Sequence, residues 1–270
     1  MDHIDSARLM QLWPKIAVPT TRSWLVDNVK EGRATGFAGG LRSKAGKFEY
    51  AFNFGLEQAK FDFLRSLPPL EEGKGFGYFT HNDLRLSLSE GYVTAPNGSK
   101  VDVAGTSLFI SDIHAKPTPG EITLHAKGGV EAALGLLDAD RFRFLQKAGL
   151  GTDIAQGAVV VAGSIDVPLE KKAKLDDVKM ALTAELLSVS SKKLVEGRHL
   201  TAQKMIAKIT QDGVTLTGKA ALDNVPLAAR WEQSFEKKAA KTSKVVAQVQ
   251  LTDKNLRQFG IDLPKNTVQG

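Results

Sequence analysis

Apolar and polar residues alternate with a period of two along most of this chain, which is the pattern of strands that have one buried and one solvated side. The clearest stretch is 48–56, where every second residue from Phe48 to Leu56 is aromatic or aliphatic. We expect a sheet of roughly fifteen such strands. The same alternation recurs at Leu84/Leu86/Leu88, Val101/Val103, Ile122/Leu124/Ala126, Val159/Val161/Ile165/Val167, Val178/Met180/Leu182, Val214/Leu216, Leu227/Ala229/Trp231 and Val245/Ala247/Val249/Leu251.

Turn sequences separate the alternating stretches. Asn97-Gly98 and Asp212-Gly213 each lie between two of them, and such pairs are strong short signals of a β-hairpin. Residues 117–120 and Asp223-Asn224 are predicted as further turns. The sequence therefore predicts a mainly β protein, a long antiparallel meander in which each strand has one apolar and one polar side.

Gly73 to Gly77 has no phosphate-binding pattern and is interpreted as a turn that lets a strand bend or bulge.

A few short helices interrupt the predicted strands. The helical predictions are a first helix capped by Thr20 or Thr21 that runs through 22–28 and stops near Gly32, a second over Val130–Leu137, a third over Asp140–Ala148, and a short helix or turn over Phe61–Leu67.

A ten-residue echo indicates internal repeats. Residues 56–65 align without a gap with 137–146, and a weaker echo sets 145–150 against 256–261. We interpret 1–270 as a single segment of a longer protein, because Leu263 to Gly270 resembles the start of another strand. The expected repeats span about 48–136, 137–250 and a truncated 251–270, and such units stack side by side.

Composition excludes several classes of protein. The 270 residues include no Cys, 42% are apolar, and 36 Lys and Arg against 30 Asp and Glu give a net charge of +6. The chain is too apolar for a disordered tail, and it has neither a disulfide scaffold nor a thiolate site. The polar N-terminus favours the cytosol, an argument that fails if the chain is a fragment. Basic residues are not interleaved with exposed aromatics, so we expect no nucleic-acid partner.

The residues that carry chemistry do not converge in the sequence. The five His lack metal-ligand spacing, so we expect no metal site and no cofactor. Ser190 to Lys193 matches Ser-x-x-Lys but falls in a predicted hairpin, and we expect no enzyme. The Lys-rich stretches 171–174 and 237–241 are interpreted as hairpin tips, with contact to anionic lipid head groups as the alternative.

The aromatic stripe of 48–54 allows two interpretations. Either two sheets close on each other, or one apolar face stays open, because the predicted helices are too few to cover so large a sheet. An open apolar face of that size indicates a partner or an apolar ligand.

Several segments of the chain resemble those of a known family. Leu12-Trp13-Pro14, then Arg22-x-Trp24-Leu25 with Asn28, then Gly32 before a strand, resemble the motif that opens the AsmA-like domain of YhdP-type bacterial envelope proteins. Residues 226–231 and the Asn255-Leu256-x-x-x-Gly260-Ile261 element are similar to recurrent elements of that superfamily. The resemblance covers about Leu9 to Leu263.

The resemblance implies a long curved sheet shaped like a taco, with an apolar inner groove and no catalytic residue. It implies a periplasmic protein of the Gram-negative envelope, anchored in the inner membrane and reaching towards the outer membrane, that is linked to phospholipid movement between the two membranes. It gives Trp13, Pro14, Arg22, Trp24, Leu25 and Gly32 a structural role. This chain lacks the anchor helix, so membrane contact is expected through parts absent from it.

Our leading hypothesis is a groove segment that conducts phospholipid acyl chains. The alternatives are a structural or docking β-sandwich module that binds protein partners in an envelope assembly, and an envelope enzyme with paired carboxylates. The alternation shows which residues share a side but not which side lines a groove. The candidate lining residues are Tyr50, Phe52, Phe54, Leu86, Leu88, Val101, Val103, Ile122, Leu124, Val159, Val161, Met180, Leu182, Leu216 and Trp231.

Overall fold

A computed structural model describes most of the chain. Within the described residues the protein forms one antiparallel sheet of fourteen strands with three short helices, which confirms the predicted mainly β, antiparallel fold. The described residues are 3–12, 26–44, 47–62, 68–138, 144–147, 150–169, 177–235, 243–249, 252 and 255–256.

The longest strands are β2 and β3, with 16 and 15 residues, whereas β1, β6 and β7 have only three or four. The helices are α1 (Ser6–Leu12), α2 (Val130–Leu137) and α3 (Phe144–Lys147). The strands are β1 (His3–Asp5), β2 (Val29–Lys44), β3 (Lys47–Phe61), β4 (Leu70–Thr80), β5 (Leu84–Thr94), β6 (Lys100–Asp102), β7 (Ser107–Ile110), β8 (Pro119–Gly129), β9 (Gln156–Pro168), β10 (Lys179–Ser191), β11 (Leu200–Thr210), β12 (Gly213–Leu222), β13 (Val225–Ser234) and β14 (Ser243–Val249).

The sheet is a meander in which nearly every strand pairs with the next one in the chain. The exception is β7, which lies beside β6 and pairs with β5 and β8. The predicted turns at 96–98, 211–212 and 223–224 are confirmed. Asp223 and Asn224 have φ values of 49° and 69°, as a two-residue hairpin with the correct twist requires.

Several local predictions need correction. Residues 26–28 are helical but β2 begins at Val29, so the first helix does not reach Gly32, because Val29 already pairs with Phe61 of β3. Gly73 to Gly77 lies inside β4 rather than in a turn. The helix or turn predicted from Phe61 begins outside any helix, since Phe61 is the last residue of β3, and 63–67 lie outside the described residues. The helix over Val130–Leu137 is confirmed.

Bulges interrupt several of the strands, and three of them carry a residue other than glycine with a positive φ. Gln58, Glu72 and Ser188 each have a φ of 51°, and each lies where the pairing register shifts. A bulge adds one residue to a strand and so moves the apolar positions from even to odd numbers. On β10, for example, the apolar side passes from Leu186 to Val189 across Ser188.

One helix covers part of one face of the sheet. Val130, Ala133 and Leu134 of α2 share a hydrophobic cluster with Val159 and Val161 of β9. The hydrophobic clusters of the described residues join neighbouring strands, their loops and α2. All described strands belong to the same sheet, so across the described chain the fold is a single layer with a local helical cover.

The echoed segments differ where both are described. Leu56 lies within β3, whereas its counterpart Leu137 is the last residue of α2. The boundaries proposed for the repeats stay a prediction.

Candidate functional site

The pairing register shows which side chains share a face of the sheet. Phe54 pairs with Gly77, Gly77 with Leu86, Leu86 with Leu108, and Leu108 with Ile122. Directly paired residues point to the same side of a sheet, so these positions form one apolar row across five strands.

Two further rows continue this face across the second half of the sheet. The first joins residues at paired positions from β8 to β12: Leu124, Gly163, Leu182, Ile209 and Val214. The second extends from β8 to the edge strand β14: Ala126, Val161, Ala184, Ala207, Leu216, Trp231 and Val245.

All the lining residues predicted from the sequence lie on this side, which we call the apolar face. Tyr50 and Phe52 precede Phe54 on β3, Met180 pairs with Ile165, and Val101 pairs with Val93. Val103 follows β6 rather than lying in it, and it packs with Leu88 and Val93.

Charged side chains lie on the opposite side, which we call the polar face. Among the described residues that the register assigns to the apolar face from β3 to β14, none is Asp, Glu, Lys or Arg. On the polar face, Lys74 and Glu90 pair at 3.3 Å and Lys204 and Glu185 at 2.9 Å. The two faces therefore differ in charge as well as in hydropathy.

Exposure divides the predicted lining residues into two groups. Val101, Val103 and Val159 are only 5%, 8% and 6% exposed, because they belong to clusters that include residues of α2. The other predicted lining residues are half-buried. Val161, Leu216 and Leu88 also pack in clusters that include residues of α2. Each of these half-buried side chains keeps part of its surface exposed in the described structure.

The first strands make this face aromatic. The Phe37 and Phe54 rings stack with centroids 5.8 Å apart, and Tyr50 contacts Phe79 at 5.6 Å and Phe52 at 5.9 Å. Burial raises the pKa of the Tyr50 phenol above its ordinary value, so this hydroxyl stays neutral in an apolar setting.

Glycine lets one of these rings lie close to the sheet. Gly39 of β2 pairs with Phe52, and a β-carbon at position 39 would lie within 2.9 Å of two atoms of the Phe52 ring. The ring occupies the space that a side chain at position 39 would take, so it lies close to the backbone of the sheet.

Sequence reasoning missed several residues of the face. Phe37 was overlooked because glycines at 36, 39 and 40 hide the alternation around it, and Phe79 because it follows the Gly-rich part of β4. Met205, Ala207 and Ile209 alternate on β11 and were detectable from that pattern.

The described residues hold little that resembles a catalytic site. Ser190 Oγ lies 2.8 Å from His199 Nε2, but Asp223 Oδ1 accepts the backbone N–H of His199 at 2.8 Å rather than a ring N–H. Asp223 Oδ2 accepts from Arg198 at 2.9 Å, and these contacts lower the pKa of Asp223. The group ties two hairpin turns together. No cluster of three potential metal ligands occurs in the described part of the chain.

Some predicted positions lie outside the described residues. They are Trp13, Pro14, Arg22, Trp24 and Leu25 of the resembling motif, together with the Lys-rich stretches 171–174 and 237–241. Gly32 lies in β2 with a φ of 148°, where a β-carbon would lie 3.3 Å from Ala59 Cα. His125 lies on the polar face, paired with Ala162, and His81 follows the end of β4.

Comparison of the chain with protein-family models, with curated proteins and with solved structures finds no match. Among the helices that the structure describes, none has the length and apolar character needed to cross a membrane.

Proposed function

We propose that this chain is a non-enzymatic segment of a bacterial envelope protein whose apolar face holds phospholipid acyl chains and conducts them between the inner and outer membranes. The observation that carries the proposal is the apolar face itself. It is continuous in register from β3 to β14, and its described positions include no charged residue.

The dimensions of the face suit this role. Adjacent strands are about 4.8 Å apart, so the eleven strands on the path from β3 to β14 span roughly 50 Å. Exposing an acyl chain to water costs about 0.8 kcal/mol per CH₂, or roughly 12 kcal/mol for sixteen carbons. A continuous apolar surface removes most of that cost without any chemical step, so transport needs no catalytic residue and no cofactor.

The proposed location follows from the sequence resemblance. On that basis we propose that the full-length protein lies in the periplasm with an anchor in the inner membrane. The charged polar face supports exposure to an aqueous compartment, because its ion pairs, such as Lys204–Glu185, are solvated.

The experiment combines native mass spectrometry with uptake of a fluorescent acyl probe. We expect phospholipid to copurify with the protein and to be displaced by the probe. Phe52→Arg places a charge on the apolar face and should abolish uptake. Asn53→Arg places the same charge on the exposed side of the same strand and is the matched control.

Circular dichroism and thermal unfolding of both variants separate loss of binding from loss of folding. The proposal fails if the protein carries no lipid and takes up no probe. If it instead crosslinks through this face to an envelope protein, its function is that of a docking module. If Phe52→Arg unfolds the chain and Asn53→Arg does not, the aromatic part of the apolar face is closed core.

A further inference from the structure

Two exposed aromatic side chains lie on the polar face, opposite the proposed lipid surface. Phe76 and Tyr78 alternate with Gly75 and Gly77 on β4, and they are 70% and 41% exposed. An exposed phenylalanine on a charged face contributes little to the core and adds apolar area in contact with water. These two rings therefore need an explanation other than packing.

A row of hydroxyl side chains runs along the sheet from Phe76. Phe76 pairs with Ser87, Ser87 with Ser107, Ser107 with Thr123, and Thr123 with Ser164. Their Cα atoms follow the strand spacing, so a hydroxyl occurs about every 4.8 Å. Among the hydrogen bonds of the described residues, none engages the hydroxyls of these four side chains, so they are available to a ligand.

The charges beside these residues are balanced. Arg85 pairs in register with Tyr78, lies 4.2 Å from the Phe109 ring centroid, and is 3.9 Å from a carboxylate oxygen of Asp83. On the other side, Lys74 is paired with Glu90. The surface has no excess of either sign, so it does not suit a polyanion such as nucleic acid or an anionic bilayer.

We propose that Phe76, Tyr78, Ser87, Ser107, Thr123 and Ser164 form a binding strip for an extended, neutral, β-linked glycan chain. Sugar rings present flat C–H faces that stack on aromatic rings, and their hydroxyl groups both donate and accept hydrogen bonds. In an extended β-1,4-linked glycan the advance per sugar is close to the spacing of strands in a sheet. One hydroxyl per strand can therefore meet one sugar per strand.

The strip is independent of the proposed lipid surface because the two occupy opposite faces. Its residues contribute nothing to the apolar face, so glycan binding and acyl-chain uptake can be removed separately. A segment that holds lipid on one face and a polysaccharide on the other would be fixed against a glycan layer.

The test is calorimetric titration of the protein with the β-1,4-linked hexamer of N-acetylglucosamine. Phe76→Ala and Tyr78→Ala should each weaken binding by about tenfold, and Thr123→Val should weaken it by a smaller factor. Phe37→Ala, an exposed phenylalanine on the apolar face, and Thr183→Val, on the polar face of β10 outside the strip, are matched controls that should leave binding unchanged.

An α-linked glucose hexamer, whose chain curves, should bind much more weakly than the β-linked probe. The proposal is overturned if no saturable binding occurs, if the aromatic variants bind as the wild type does, or if both hexamers bind equally. It is also overturned if Phe76→Ala instead reduces sedimentation with phosphatidylglycerol vesicles or binding to a protein partner. Phe76 is 70% exposed, so its replacement removes little buried area. Circular dichroism checks that the variants are folded.

Discussion

The ring of Phe54 on β3 lies against Gly77 on β4, its partner in the pairing register. A β-carbon at position 77 would lie within 2.8 Å of three carbons of that ring, so the absence of a side chain makes room for the aromatic group. Phe54 in turn stacks on Phe37 of β2. The place of Phe54 on the apolar face therefore depends on Gly77, which the sequence pattern predicted as part of a turn.

Gly77→Ala tests that dependence. The new methyl group should force the Phe54 ring out of its place and lower the free energy of unfolding by about 1–3 kcal/mol. Urea unfolding followed by circular dichroism measures the loss. The displaced ring should also reduce uptake of the acyl probe.

Gly40→Ala is the matched control, since a β-carbon there has no atom within 4 Å. It should be neutral or slightly stabilising, because alanine restricts the unfolded chain. In the background of Phe54→Ala, the added cost of Gly77→Ala should largely disappear. Equal losses for the two glycine variants would refute the account.

The sequence predicted the chemistry of the sheet better than its local geometry. Alternation alone placed residues as distant as Tyr50, Leu124 and Trp231 on apolar sides of their strands, because the period of a strand is fixed at two. The pairing register then determines which sides of neighbouring strands lie on the same face of the sheet. In a meander each hairpin sets this register between one strand and the next.

The bulges and the glycine contacts were not predictable from the pattern. Gln58, Glu72 and Ser188 have positive φ values although none is glycine, and the bulge at Ser188 moves the apolar side from Leu186 to Val189. Gly77 packs against a residue more than twenty positions away, and local sequence does not encode that contact. The cover that α2 provides over Val159 is likewise a tertiary contact.

Stability should fall in acid through Asp223. The His199 backbone N–H and the Arg198 guanidinium lower its pKa relative to the unfolded chain, where an Asp titrates at about 3.9. The stabilisation by this carboxylate is therefore complete above the unfolded value and is lost as the pH falls through the lower native value. Denaturation measured from pH 7 down to about pH 2 should show it.

Asp223→Asn keeps a residue that tolerates positive φ but removes the charge. It should be less stable than the wild type at neutral pH, and the difference should shrink in acid. Arg198→Gln should reduce the same pH dependence, since it removes the 2.9 Å contact. Parallel pH curves for the wild type and Asp223→Asn would show that this carboxylate makes no such contribution.

Ser191 should matter more than its neighbour Ser190. Its side chain is 4% exposed, its hydroxyl donates to the carbonyl of Ile154, and it accepts the backbone N–H groups of Lys193 and Leu194. Ser191→Ala removes these three part-buried hydrogen bonds and should lower the free energy of unfolding by about 1–3 kcal/mol. Chemical denaturation gives the value.

Ser190→Ala is the control, because that hydroxyl is less buried and its recorded contact is with His199. A loss for Ser190→Ala as large as that for Ser191→Ala would show that burial does not set the cost. The pair also tests whether Ser190 and His199 have a role beyond joining two turns.

The fluorescence of Trp231 should report directly on contact with acyl chains. It is half-buried on the apolar face, paired with Leu216 and with the edge residue Val245. In a background of Trp13→Phe and Trp24→Phe it is the sole tryptophan of the three. Brominated acyl chains quench indole fluorescence at contact, so titration with a brominated phospholipid should give saturable quenching.

Moving the indole to the polar face, by Trp231→Phe with Arg230→Trp, should abolish the quenching, because Arg230 points to the opposite side of β13. Equal quenching from both positions would mean that lipid does not select the apolar face.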